Sequence, residues 1–363
     1  MNNMYYCRKF NNHFESRKLK KAVRMMLILL LFNLFTLTIT GCKAQPEVEG
    51  ANTQEANTQE ANIQETNTQE TNAQEADSQY LYSFTDALGN AVNLENTPER
   101  VVSLVGSYAE TWLLAGGELI GVTNDVISER GLEVDSETAI VGTIKEPNIE
   151  EILALSPDFV LLTTDVESHI KIADILEQTN ITYAFFKVEH FEDYLNMLNI
   201  CTDITGEKEL YEKNGLEVKK EIEAVLSKVN ETDHTEKEIL FIRAFSSGAK
   251  AKHDDNMACK IFNDLGTVNI ASKHESLLEE LSMEVIIEED PDYIFVVTMG
   301  NSEKAIQALK DGIEQNPAWS GLSAVKNDRY IVLPKELFHY KPNARWSESY
   351  EYIAKILYPE EFR

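Results

Sequence analysis

The apolar positions of this chain fall into two kinds of pattern, and the two alternate. VVSLVG (101–106), LIGVT (119–123), FVLLTT (159–164) and TYAFFK (182–187) are short, nearly unbroken apolar runs. Such runs are the mark of strands buried on both faces of a parallel sheet. Between them, SYAETWLLAGG (107–117), NIEEILAL (148–155) and HIKIADILEQT (169–179) carry apolar residues at helical spacing. The second half repeats the theme. EILFIRAF (238–245), YIFVVT (293–298) and RYIVLP (329–334) read as strands. DNMACKIFNDLG (255–266), SMEVIIEE (282–289), EKAIQALKDGIEQ (303–315) and NARWSESYEYIAKIL (343–357) read as helices. The alternation predicts an α/β fold with mainly parallel sheets covered by helices.

Between the halves, Tyr211, Gly215, Val218, Ile222, Val225 and Val229 form one continuous helical stripe with no proline in it. This predicts a single long helix over 207–230 joining an α/β lobe at 80–206 to another at 231–363. The halves also share a segment. NIEEILALSPDFVLLTT (148–164) and SMEVIIEEDPDYIFVVT (282–298) align so that Glu150 falls on Glu284, Pro157-Asp158 on Pro291-Asp292 and Thr164 on Thr298. Asn148 and Ser282 stand as N-caps, which puts each glutamate at the second helical position. An acid there is favoured by about 0.3–1 kcal/mol through the helix macrodipole.

The N-terminus has a different character. Residues 1–41 carry seven bases against one acid, then the apolar run MMLILLLFNLFTLTIT (25–40), and Cys42 follows Gly41. A basic segment, an apolar segment and small residues before a cut are the parts of a signal peptide. The run is short for a membrane span, which needs roughly 20 residues. After Cys42 the composition shifts to ANTQE ANTQE ANIQE TNTQE TNAQE (51–75), with Ile63 its one large apolar residue. Residues 42–79 are therefore expected to be a disordered tether.

Composition narrows the function. A formal net charge of -28 argues against a nucleic-acid partner, because phosphate neutralisation needs a basic surface. The four cysteines Cys7, Cys42, Cys201 and Cys259 form no CxxC pair, and the histidines do not cluster, whereas a bare metal site needs three or four converging His, Asp or Glu ligands. Cys201 and Cys259 read as buried thiols in helices of different lobes. No GxSxG, P-loop or HExxH motif is present. The chain is expected not to be an enzyme.

FTDALGNAVNLENTPERVVSL (84–104), NPAWSGLSAVKNDRYIVLP (316–334), the duplicated segment and the Ile39-Thr40-Gly41-Cys42 lipobox together resemble the bacterial substrate-binding lipoproteins of ABC importers for metal chelates: ferric siderophores, cobalamin and haem. The resemblance covers about residues 82–358. It implies two Rossmann-like lobes joined by one long rigid helix, with the ligand cleft between the lobes. It implies that residues 1–41 are removed and Cys42 is lipidated, fixing a monomer to the extracytoplasmic face of the cell membrane. It also implies that Glu150 and Glu284 dock on an ABC permease dimer that works with its ATPase. Without the resemblance, the sequence favours a plain helix-start preference for both glutamates.

For the cleft, strand ends and the loops after them offer Ser107, Tyr108, Asn124 and Thr164 from the first lobe. The second lobe offers Arg243, Lys252, His339, Tyr340, Lys341 and Arg345. Asp125 and Thr163 lie at the same strand ends, and Lys250 and His253 lie beside Lys252 in a segment expected to be a loop. Cations beside aromatics suit an anionic, aromatic-rich ligand, which a ferric siderophore is. No resident cofactor and no direct protein–metal ligand are expected. Haem or cobalamin, with His339 or Tyr340 as axial ligand, is the alternative within this role. A tetrapyrrole chelatase-like enzyme and a structural surface lipoprotein are the alternatives outside it.

Overall fold

The computed structural model describes residues 80–231, 235–253 and 256–363. The signal segment, Cys42 and the pentapeptide repeat lie outside the described residues. The described part opens with a hairpin that the apolar pattern did not reveal, β1 (Tyr82–Thr85) and β2 (Ala91–Leu94). Asp86 builds its turn by accepting the Leu88 and Asn90 N–H groups. The same carboxylate accepts the Phe185 N–H at 3.2 Å, so the hairpin covers an open sheet edge.

The first lobe holds β3 (Val101–Ser103), β4 (Gly121–Val122), β5 (Ala139–Ile140), β6 (Phe159–Thr163) and β7 (Thr182–Phe186). They pair in the order β5-β4-β3-β6-β7, all parallel. Every residue of β3 and β6 is buried, which is why their apolar runs do not alternate. The second lobe holds β8 (Lys237–Phe245), β9 (Gly248–Ala251), β10 (Thr267–Asn269), β11 (Tyr293–Thr298) and β12 (Tyr330–Val332). Parallel pairing runs β10-β8-β11-β12, and β9 folds back antiparallel on β8. The α/β reading with mainly parallel sheets is borne out. The loop expected after β8 is instead the strand β9.

The linking segment is helical throughout but not regular. Lys208–Tyr211 and Glu217–Asn230 are α-helical, and Glu212–Leu216 between them is a π turn. At the turn, Gly215 lies so close to Leu195 and Leu198 that a Cβ would stand 3.0 and 3.1 Å from their methyl groups. The Tyr194 hydroxyl donates to the Asn214 carbonyl at 2.8 Å, and the Asn214 side chain donates to the Leu114 carbonyl at 2.7 Å. A π turn shifts backbone register, so such side-chain partners keep its polar groups satisfied. The predicted stripe still faces inward, with Gly215, Val218, Ile222 and Val229 buried.

Three apolar clusters result. One packs Val102, Val160 and Leu162 on one face of the first sheet. A second packs Leu240, Ile294 and Val296 on one face of the second. The third is shared: Phe159 and Leu161 of the first lobe, Val218 and Ile222 of the linking helix, and Phe241 and Trp346 of the second lobe are continuous. The lobes thus have a common core beneath the helix that joins them. Trp346 begins the helix Trp346–Leu357 and meets the Phe191 ring edge-on at 6.1 Å. Ser347 donates to Glu221 of the linking helix at 2.6 Å.

The duplicated segment is one local structure built twice. Asn148 caps Ile149–Ala154 by accepting from Glu150 and Glu151, and Ser282 caps Met283–Glu289 by accepting from Val285. Ser156 and Asp290 both take the left-handed conformation, with φ 48° and 40°. A buried proline follows each, then Asp158 or Asp292. Asp158 accepts the Glu99 and Arg100 N–H groups at 2.8 and 2.9 Å. Asp292 accepts the Glu238 N–H at 3.0 Å. Each aspartate so ties the new strand to the start of its neighbour.

Candidate functional site

The C-terminal ends of the strands in both sheets face one another across a cavity of about 630 Å³. From the first lobe, the turn after β3 contributes Ser107, and the turn after β4 contributes Asn124, Asp125 and Arg130. From the second, Phe245 and Ser246 follow β8, Met299 and Gly300 follow β11, and His339, Tyr340 and Lys341 lie beyond β12. Parallel strands end their hydrogen-bonded ladder on the same side, so side chains and free backbone groups collect there.

The lobes are bonded to each other at this site. Arg130 pairs with Glu110 and donates to the Lys341 carbonyl of the other lobe at 2.8 Å. Asn343 reaches back, its side-chain amide donating to the Ser107 carbonyl and to Glu110, each at 2.9 Å. Asn343 is 1% exposed and holds φ 50°, a left-handed conformation that asparagine tolerates better than most residues. Lys335 adds an ion pair to Glu129 across the gap at 3.5 Å.

The two walls differ in how their polar groups are satisfied. On the first-lobe side, His169 is fully buried and both ring nitrogens are bonded. Nδ1 accepts the Thr163 N–H at 3.2 Å, which makes Nε2 the donor to the Ile144 carbonyl at 2.8 Å. Burial holds its pKa below the ordinary value. Ser168 donates to the Lys145 carbonyl, so the segment Thr143–Lys145 that lines the cavity is braced from behind. On the second-lobe side, His339 Nδ1 is buried with no hydrogen-bond partner among the described residues. Burial, then the positive charges of Arg243, Lys335 and Lys341, push its pKa down to about 4, so it is neutral at pH 7. Burial also lowers the Lys341 pKa, while Asp165 and Glu189 act against that shift. Among the described residues, neither the Lys341 ammonium nor the Tyr340 hydroxyl takes part in a hydrogen bond or ion pair.

Of the residues singled out in the sequence, Ser107, Asn124, His339, Tyr340 and Lys341 line the cavity. Tyr108 lies in the first-lobe core, 2% exposed, with its hydroxyl on Thr163 and the Phe186 carbonyl. Thr164 sits just past β6, its N–H on the Phe186 carbonyl at 3.4 Å, outside the cavity lining. Arg243 is half-buried on β8 behind the lining, and its charge reaches His339 and Lys341. Lys252 is carried away from the cleft. Antiparallel β9 runs back along β8, so the Lys252 N–H bonds Phe241, near the middle of the strand rather than at its cleft end. Arg345 points to solvent and pairs with Glu348 at 2.8 Å. Glu150 and Glu284 are both exposed on first helical turns. Cys201 and Cys259 are buried free thiols, as read from the sequence.

Glu110, Arg130 and Asn343 had gone unrecognised. The first two are joined over twenty residues of chain and the third comes from the other lobe, so no local spacing marks them. Glu129, Lys145 and Met299 also line the cavity, from segments that lack apolar periodicity or look like ordinary turns.

Comparison with known proteins agrees with this architecture. The model of the periplasmic binding protein family matches residues 101–337. The Fe(3+)-citrate-binding protein YfmC of Bacillus subtilis is 28% identical over 243 residues, 64% of this chain and 72% of that protein. The iron-uptake system-binding protein of the same organism is 26% identical over 205 residues, 55% of this chain and 62% of that protein. An ABC transporter substrate-binding protein from Listeria monocytogenes superposes with a TM-score of 0.60 at 18% identity, covering 72% of this chain and 99% of that one. Among the described residues no helix is long and apolar enough to cross a membrane.

Proposed function

We propose, from the premise that this chain belongs to the periplasmic binding protein family, that it captures a ferric chelate between its lobes and delivers it to an ABC importer. One observation carries this reading. The second-lobe wall of an inter-lobe cavity of about 630 Å³ holds the polar heads of His339, Tyr340 and Lys341, which make no hydrogen bond or ion pair among the described residues, in a field made positive by Arg243 and Lys335. Of the three, His339 Nδ1 is fully buried, and an unpaired buried polar atom is costly and normally matched by something. An anionic chelate would match the ammonium and hydroxyl beside it. The relatives named for iron and ferric citrate support the same ligand class. The family consists of binding proteins rather than enzymes, and the importer supplies the energy for uptake.

A second reading rests on His339 itself. It is neutral above about pH 4, as a metal-ligating imidazole must be, and its ring lies 5.1 Å from that of Tyr340. That favours haem or cobalamin with an axial protein ligand. Titration of the purified protein separates the readings, with emission of Trp112, Trp319 and Trp346 as reporter. Ferric citrate or a ferric siderophore is expected to quench with saturation, and free Zn or Mn to have little effect. Saturable binding of haem or cobalamin alone supports the second reading. Stoichiometric binding of a bare metal with no response to any chelate rejects both.

Two further roles belong to this proposal. Cys42 carries the lipid that holds the protein at the extracytoplasmic face, and residues 42–79 tether it. A Cys42→Ser variant that still partitions into detergent as a processed protein would count against the anchor. Glu150 and Glu284 dock the two lobes on the two halves of a permease dimer; their exposure at matching helix starts supports this.

A further inference from the structure

We propose that Asp125 is a specificity-determining residue of the cleft, selecting a chelate that carries an ammonium or comparably strong hydrogen-bond donor on the side opposite its carboxylates. The inference rests on the chelate-capture reading and narrows it to a dipolar ligand.

Asp125 follows β4, lines the cavity and is 9% exposed. Its Oδ2 accepts the Gly106 N–H at 2.7 Å. Its Oδ1 is buried with no hydrogen-bond partner among the described residues. The placement is specific, because a Cβ at residue 106 would collide with Oδ2; only glycine lets the backbone N–H approach the carboxylate in this way. The cations of the same wall are engaged elsewhere or lie outside pairing distance. Arg130 is held by Glu110 and by the Lys341 carbonyl, and Lys145 makes no ion pair among the described residues. Glu129, the next acid along this wall, already pairs with Lys335. Among the described residues the Asp125 side chain is therefore answered by one neutral N–H. A buried carboxylate in that condition is favourable only when a donor joins it.

The wall across the gap has the opposite character. Lys341 lines it, and the charges of Arg243 and Lys335 converge on His339 beside it. A ligand spanning the gap meets cations on one side and Asp125 on the other. A pure polyanion gains from the second-lobe wall and is repelled by the first. An α-hydroxycarboxylate chelate with one free primary amine satisfies both, its carboxylates toward Lys341 and its ammonium toward Asp125.

The test compares three Fe(III) complexes on the wild type and on Asp125→Asn: ferric citrate, an α-hydroxycarboxylate chelator bearing one primary amine, and the N-acetyl form of that chelator. Asparagine keeps the shape and an acceptor for the Gly106 N–H. The wild type is expected to bind the amine form about tenfold or more tightly than the acetyl form, the scale of one charged hydrogen bond. In Asp125→Asn that preference is expected to vanish, and ferric citrate to bind a few-fold tighter as repulsion is lost. Equal binding of the amine and acetyl forms by the wild type, or a preference that survives in Asp125→Asn, overturns the inference and leaves chelate capture standing. Failure of all three complexes to bind rejects chelate capture itself. The wild-type comparison decides even if the variant does not fold.

Discussion

The two lobes share one duplicated segment and are unlike where they face each other. Each presents a capped helix with an exposed glutamate at its second position, a left-handed turn, a buried proline and an aspartate clasp. Across the cleft the likeness stops. The first-lobe wall is braced by His169, bonded through both nitrogens, and by Arg130, held by Glu110, and its open group is an acid, Asp125, whose Oδ1 has no hydrogen-bond partner among the described residues. On the second-lobe wall, His339 Nδ1, the Tyr340 hydroxyl and the Lys341 ammonium make no hydrogen bond or ion pair among the described residues. Under the proposed function, the duplicated helix starts would serve the two halves of the importer and the asymmetric inner walls the single chelate.

The strongest test breaks the duplicated feature. Glu150→Lys together with Glu284→Lys is expected to lower uptake by about a hundredfold or more, with affinity for ferric citrate unchanged. Each single reversal leaves one lobe able to dock and is expected to cost less. Both sites are exposed first-turn positions, so each change also risks up to about 1 kcal/mol of stability. Thermal melts of the variants control for this. A folded double variant with normal uptake would reduce the repeated glutamate to a helix-start preference shared by two similar lobes.

Next in size is the inner asymmetry. Lys341→Met removes a charge with no ion-pair partner among the described residues while keeping its length, and is expected to weaken an anionic chelate about ten- to thirtyfold. Ser107→Ala on the opposite wall removes a hydroxyl from the same cavity and is expected to change affinity less than about threefold. Equal losses on titration of the two variants would mean that the walls share the ligand evenly.

The two histidines sharpen the same contrast through pH. His339 has its pKa lowered from 6.5 to about 4 in the folded protein. Between these values the unfolded chain binds a proton that the native state does not. Stability is thus complete above about pH 6.5 and falls as pH drops toward 4. His339→Gln should remove about 2 kcal/mol of that loss between pH 7 and pH 4, allowing for partial exposure and other titrating groups. His169→Gln instead removes bonds to Thr163 and Ile144 that the neutral imidazole makes, so its variant should be destabilised already at pH 7. Denaturation curves at pH 4, 5.5 and 7 distinguish a loss confined to acid from one present at neutral pH.

Much of the fold was legible because its determinants are local. β3, β6 and β11 are buried along their whole length, and an unbroken apolar run is the direct trace of that. The linking helix announced itself by its stripe, although the π turn at Gly215 did not, since it depends on close packing against Leu195 and Leu198. β9 was hidden because GAKA carries too little apolar surface to look like a strand; pairing with β8 makes it one, and this took Lys252 out of the cleft. In the cleft, His339, Tyr340 and Lys341 stood out as a cluster of chemistry in one loop. Arg130, Glu110 and Asn343 did not, because their contacts join distant parts of the chain and no composition rule reports a contact between lobes.

The smallest effects come from the part of the duplication that only builds the fold. Asp158 accepts two N–H groups, those of Glu99 and Arg100, and Arg100 in turn donates to the Leu155 and Ser156 carbonyls of the same turn. Asp292 accepts one, that of Glu238, while the neighbouring Asp290 holds the N–H and hydroxyl of Ser323. The first copy thus concentrates its clasp in one carboxylate, and the second divides it between two. Asp158→Ala is expected to cost about 2 kcal/mol and Asp292→Ala about 1 kcal/mol, values reduced for solvent screening at partly exposed sites. Urea titrations should show lower midpoints with unchanged slopes, since neither residue alters how much surface unfolding exposes. Ligand affinity should stay constant in both, because the clasps lie at the strand starts and the cavity lies at the strand ends. If Asp292→Ala proved the more damaging, the clasp would have to work through more than its N–H bonds, and the two copies would not be equivalent even where they look most alike.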